Sequence, residues 1–320
     1  MKTERGVALV VVLWIVVMLS LLIGGFAFTM HVETQVASYS RKELRAEMLA
    51  RSGVELVRQQ LHTRPPWEKA CEALNQSWCA SDLYVDHELG EGKFTVKVID
   101  EESLLPINRL SDSRLRLLLQ LLEVDPTAVD TIADSIQDWI DENSLTRLNG
   151  AESDYYLTLN PPYRAKNGLI YRTQELLMIR GITPELYHGA HGKPGLKDLV
   201  SPYTQQVNVN TASPLVLQVI LRMTEEELKP LLARRDGPDG IPGTDDDRPF
   251  RNVQEAIRLF CPPDEGSRRR WETYLTTNSN SFRVISTGEV GGVRQTIVAT
   301  LMYLRGDYYP ISWVCQRGGP

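Results

Sequence analysis

From Val7 to Phe28 the chain runs for 22 residues without a charged side chain, VALVVVLWIVVMLSLLIGGFAF. Wound as a helix, a stretch of that length measures about 33 Å, the thickness of a bilayer's hydrocarbon core. A secretory signal peptide has a shorter apolar region and closes on a small-residue A-x-A-like site. Here the run is longer and passes into a helix-compatible segment with no such site at the expected place. A plain transmembrane anchor explains the length equally well, so the edges of the run must discriminate. Lys2 and Arg5 precede it, which places that side in the cytoplasm and the remaining body in the periplasm by the positive-inside rule.

The helical signal continues beyond the membrane. Val36, Tyr39, Leu44, Met48, Leu49, Val54, Leu56, Val57 and Leu61 alternate with charges in the manner of one buried stripe, and Pro65-Pro66 ends the segment. Phe94 to Ile99 shows two-residue alternation, as do Ser281 to Glu289 and Val293 to Tyr303, the last two joined by the hairpin cue Gly291-Gly292. Between the early and late strands the signals are helical. Ser111 is placed to cap a helix over 112–123, Asp125-Pro126 opens one to Asp141, and Ser213-Pro214 opens one to Leu221. The expected fold is α+β: a long N-terminal helix packed on an antiparallel sheet, interrupted by a large all-helical insertion.

The leader Met1-Lys2-Thr3-Glu4-Arg5-Gly6, set directly before the apolar run, resembles the prepilin peptidase site of type IV pilins and type II secretion pseudopilins. The resemblance implies cleavage between Gly6 and Val7 and a methylated Val7 as the mature N-terminus. Most pilin-like proteins carry Glu at the fifth mature position; here it is Val11. That departure is similar to the K-type minor pseudopilins of type II secretion, where a subunit without a neighbour above it has no amine to neutralise. Asp138-Trp139-Ile140-Asp141, Asn149-Gly150-Ala151-Glu152 with Tyr155-Tyr156, Pro162-Tyr163-Arg164-Ala165-Lys166-Asn167 and Val207-Asn208-Val209-Asn210-Thr211-Ala212 resemble segments of that family's inserted domain, in order.

The resemblance implies a pilin-like architecture divided as 1–6 leader, 7–28 membrane helix, 29–105 first part of the pilin domain, 106–279 insertion and 280–320 C-terminal strands. It implies assembly at the tip of a periplasmic pseudopilus anchored in the inner membrane. The expected partners are I-type and J-type minor pseudopilins, the major pseudopilin and the prepilin peptidase.

Residues 236–247 carry five carboxylates in a loop rich in Gly and Pro. Calcium takes six to eight oxygens, and glycine permits the turns that gather them. The spacing lacks the EF-hand series and is closer to a D-x-x-D-G-x-x-G-x-D loop. Asp236, Asp239, Asp245 and Asp247 are the expected ligands of a structural calcium, which the family resemblance also implies, and a solvated acidic turn is the competing reading. A second acidic group, Asp138, Asp141, Glu142, Glu152 and Asp154, offers further oxygens or is simply solvated.

Residues 208–213 and 248–253 resemble the framework of a helix-hairpin-helix DNA module, which makes a membrane-anchored DNA-binding or uptake protein the rival function. The hairpin position, Ile220-Leu221-Arg222-Met223-Thr224, has no glycine, and the net charge is −6. No nucleic acid is therefore expected. No Ser/His/Asp order or phosphate loop stands out among five scattered histidines, which leans against an enzyme. In the periplasm the four cysteines can form disulfides in three connectivities. Proximity favours Cys71 with Cys79, leaving Cys261 with Cys315.

Overall fold

A computed structural model of the chain describes residues 4–69, 71–79, 85–260 and 265–317. One helix, α1 (Glu4–Thr63), spans 60 residues, about 90 Å at helical rise. It stops just before Arg64 and Pro65, where proline at the second of these positions cannot continue an α-helical hydrogen-bond ladder.

The strands β1 (His87–Leu89), β2 (Gly92–Asp100), β3 (Ser281–Val290), β4 (Val293–Leu304) and β5 (Asp307–Arg317) form one antiparallel sheet in that spatial order. Lys93 faces Glu289 and Asp100 faces Phe282, so strands far apart in sequence lie side by side. The β3–β4 turn is built on Gly291 and Gly292 at φ +52° and +83°, the doubly left-handed pair that a tight hairpin of this kind requires.

The sheet receives the second half of α1. Leu49, Val54, Val57 and Leu61 meet Phe94, Val96, Phe282, Val284, Ile297 and Leu301 in one core. The stripe starts later than the pattern predicts: Val36, Tyr39, Leu44 and Met48 are exposed, and burial begins at Ala46. Small residues decide this. A Cβ on Gly288 would lie 2.1 Å from the Ala46 carbonyl oxygen, and one on Gly53 2.3 Å from Ser286 Oγ. At Gly288 the strand therefore meets the α1 backbone at Ala46 and Ala50, while Leu49, Val54, Val57 and Leu61 fill the core beyond it.

The insertion leaves the sheet at Asp100 and returns at Ser281. Its core gathers Leu115, Leu118, Ile132, Trp139, Tyr156, Leu217 and Leu231 from several helices. Those used below are α2 (Asp112–Leu121), α3 (Pro126–Ile140), α4 (Pro214–Leu221), α5 (Glu225–Arg235) and α6 (Val253–Phe260). Asp125 accepts from Thr127 N at 2.8 Å and Ser213 from Val216 N at 3.3 Å, so both expected caps form, each followed by proline in the first turn. The expected Ser111 side-chain cap does not: its hydroxyl bonds that of Ser113 instead.

Candidate functional site

The first candidate surface is the apolar rod itself. Among the described side chains from Leu9 to Phe28, every large hydrophobic is exposed, Val11 at 51 %. By length and composition α1 can cross a membrane. Gly6 and Val7 lie in its first turns, with their side chains outside the described set. Thr29 and Thr34 donate their hydroxyls to the carbonyls of Gly25 and Met30, which satisfies them within the helix rather than in solvent.

A second polar region joins the two bodies. Asp100, at the end of β2, is wholly enclosed. Its Oδ2 accepts from Thr211 Oγ1 at 2.5 Å, Ser279 Oγ at 2.6 Å and Asn208 Nδ2 at 3.3 Å, and its Oδ1 accepts from Glu102 N at 2.9 Å. Burial nonetheless raises its pKa. Burial, with the neighbouring Asp100 charge, also raises the Glu102 pKa well above the ordinary glutamate value. Glu72 accepts from Ser279 N at 2.7 Å and pairs with Arg64 at 3.4 Å; burial outweighs both and pushes its pKa up to about 7. Arg283 clasps Glu101 with two nitrogens at 2.7 and 3.0 Å.

The carboxylates of the acidic loop are mostly engaged inside the loop. Asp236 pairs with Arg235 at 2.5 Å, Asp239 accepts from Ile241 N at 2.8 Å, and Asp247 Oδ2 accepts from Gly243 N at 2.7 Å. Asp245 is exposed. One oxygen, Asp247 Oδ1, is buried without a partner, and burial raises that carboxyl's pKa. Around Glu152 the orphaned set is larger: both Glu152 carboxylate oxygens and Asn167 Oδ1 are buried and unpartnered. Burial, followed by the charges of Asp138 and Asp141, raises the Glu152 pKa. Gly150 makes room for this group, since a Cβ there would lie 2.0 Å from Asp138 Oδ2. No three His, Cys, Asp or Glu side chains among the described residues converge as a finished metal centre. A hard cation of the calcium type also draws on amide and carbonyl oxygens, and the unpartnered oxygens at both places are of that chemical type.

The helix-hairpin-helix-like region has no free phosphate grip. Its turn between α4 and α5 places Arg222 in the left-handed region, with Met223 N donating to Gln218 O and Thr224 N to Glu227 Oε2. Three glutamates open α5. Asn208 and Asn210 serve the interior, Asn210 bonding Phe250 through both backbone groups.

The expected Cys71–Cys79 bond is not formed, and Cys71, Cys79 and Cys315 are free. Cys79 packs against the core beneath α1, whereas Cys71 lines a surface basin beside Arg251, so the short loop between them aims the thiols at different environments. Burial raises both thiol pKa values. Cys261, expected to pair with Cys315, lies outside the described residues.

The family model described as type II secretion system (T2SS), protein K matches residues 92–191. A type II secretion system protein K of Aeromonas hydrophila is 28 % identical over 67 % of this chain and 69 % of its own length. One from Pseudomonas aeruginosa is 26 % identical over 94 % of this chain and 89 % of its own. The crystal structure of the GspK-GspI-GspJ complex from the enterotoxigenic Escherichia coli Type 2 Secretion System contains a chain of the same fold, with TM-score 0.67 and 20 % identity over 90 % of this chain and 99 % of that one. With its long exposed helix, interrupted sheet and helical insertion, this chain is similar to type II secretion system protein K, whose family model matches residues 92–191.

Proposed function

We propose that the chain is a minor pseudopilin that caps and helps initiate the periplasmic pseudopilus of a type II secretion system. The observation that carries this reading is α1: one uninterrupted helix whose run from Leu9 to Phe28 is apolar and exposed, and whose later part is built into the sheet. Such a rod is stable in lipid or among like helices and costly in water. After cleavage between Gly6 and Val7 and methylation of Val7, it leaves the inner membrane to pack with other pseudopilin helices. The exposed Val36, Tyr39, Leu44 and Met48 continue that contact face below the membrane. The bulky insertion would obstruct a subunit stacked above it, and Val11 offers no carboxylate to a neighbour's amine, so both favour the tip.

The solved relative comes from a complex with GspI and GspJ, and the corresponding I-type and J-type minor pseudopilins are the proposed partners here. A structural calcium is proposed for the loop carrying Asp236, Asp239, Asp245 and Asp247, with the Glu152 cluster as the second candidate. Nothing in the arrangement requires chemistry on a substrate. Intact mass of the membrane-extracted protein tests the central claim. A chain beginning at a methylated Val7 and co-purifying with those two pseudopilins is the expected result; a chain still beginning at Met1 in cells with active prepilin peptidase would reduce the reading to a simple anchor.

A further inference from the structure

On the insertion's surface, next to the turn that follows α1, lies an open basin of about 710 Å³ lined by Arg234, Arg248, Arg251, Arg258, Glu255 and Cys71. Four guanidinium groups share it with one carboxylate, and that carboxylate is taken: Glu255 pairs with Arg234 at 3.1 Å. Arg248, Arg251 and Arg258 have exposed side chains with no ion-pair partner among the described residues. Their convergence is unusual in a chain where acids outnumber bases 41 to 35.

The frame beneath them is fixed. Arg248 N donates to Arg235 O at 2.8 Å, Phe250 N to Asn210 Oδ1 at 2.8 Å, and Arg251 N to Glu255 Oε2 at 3.0 Å. Arg234 also donates to the Arg248 carbonyl and lies over the buried Phe250 ring at 5.5 Å. The backbone that carries the free arginines is thus set before any ligand arrives, which lowers the ordering cost of binding. Like charges held together repel until an anion enters, and the guanidinium fork matches a carboxylate with two parallel hydrogen bonds.

We propose that this basin docks a short acidic segment of a protein partner. An extended nucleic-acid strand is disfavoured by the boundary: Asp245, Asp246 and Asp247 directly precede Arg248, so a regularly charged phosphate backbone would run onto carboxylates. A short flexible acidic segment can seat one or two of its carboxylates on the cationic floor and direct the rest away from those aspartates. Because Cys71 belongs to the turn after α1 and the arginines to the insertion, the docked segment bridges both bodies.

The test uses the full-length chain in detergent micelles, titrated with hexa-aspartate peptide and, in parallel, with a single-stranded oligonucleotide of comparable charge. Hexa-aspartate is expected to bind saturably and to weaken about tenfold or more in the Arg251→Glu/Arg258→Glu variant, because bidentate charge-assisted bonds are lost. Arg294→Ala, an exposed cation on the sheet, should leave binding unchanged. The charge-retaining Arg251→Lys/Arg258→Lys variant keeps the question open should the glutamate variant fail to fold, and it should weaken binding several-fold through loss of the fork. Absence of saturable hexa-aspartate binding, equal weakening in Arg294→Ala, full binding in the lysine variant, or tighter binding of the oligonucleotide each overturns the proposal.

Discussion

The Ser279 hydroxyl donates to the Asp100 carboxylate at 2.6 Å, across 179 residues of chain, at the point where the helical insertion both departs and returns. The same oxygen takes Thr211 Oγ1 and Asn208 Nδ2 from the insertion, so one side chain ties together the sheet and the helical body. Asp100→Ala leaves four buried donors short of an acceptor, each costing about 1–3 kcal/mol. The expected outcome in denaturant is a loss of about 3 kcal/mol or more, with one unfolding transition separating into two. Retention of a single transition at the parental midpoint would show that the junction does not couple the bodies.

Glu72 gives the stability a pH dependence of defined sign. Burial raises its folded pKa to about 7, above the ordinary glutamate value, so the folded state holds the proton more tightly than the unfolded chain. Its contribution is fully present below the unfolded pKa near 4.3 and is lost as pH rises through about 7. The thermal midpoint of the parent chain should therefore fall between about pH 5 and pH 8, and Glu72→Gln should flatten that slope. An equal slope in the variant would assign it to other groups, Glu102 first.

What local pattern carries, this chain displays openly. The apolar run, the alternation in β2 and β3 and the Gly291-Gly292 turn are properties of neighbouring residues, and each stands where the pattern places it. β5 was not legible, because Pro310 and the Tyr308-Tyr309 pair break its alternation; an edge strand tolerates the proline, and the register shifts nearby between Thr300 and Leu301. The late start of the buried stripe was hidden too, since it depends on Gly288 of β3 meeting α1 at Ala46 and Ala50, far away along the chain. Asn208 and Thr211 were visible as part of a motif, but their shared work on Asp100 depends on contacts more than a hundred residues apart. Cys71 and Cys79 show the reverse error: closeness along the chain is not closeness of thiols.

Two glycines separate steric from propensity effects. Gly288→Ala would put a methyl group 2.1 Å from the Ala46 carbonyl and 2.8 Å from Ala50 N, so the α1–β3 contact must open, at a cost of about 1–3 kcal/mol. Gly25→Ala meets nothing within 4 Å and removes a weak helix former. Thermal unfolding should show a lowered midpoint for the first and an unchanged or raised one for the second. A neutral Gly288→Ala would mean that the helix rides higher on the sheet than the close approach indicates.

Calcium can be assigned by subtraction. An ion bound only to the folded chain stabilises it in proportion to the logarithm of its concentration, so chelation should lower the thermal midpoint and added calcium restore it. The location follows from the orphaned oxygens. Asp247 leaves one buried oxygen without a partner in the loop, whereas the Glu152 group leaves three, counting Asn167 Oδ1. If the ion sits in the loop, Asp247→Asn abolishes the chelator effect and Glu152→Gln preserves it; if it sits beside Asp138 and Asp141, the two variants exchange behaviour. Without an ion, Glu152→Gln relieves a buried carboxylate of its charge and should stabilise the chain at neutral pH, and chelation should do nothing. That combination would remove calcium from the account and leave the loop as an acidic turn and the Glu152 group as a buried cluster holding a proton.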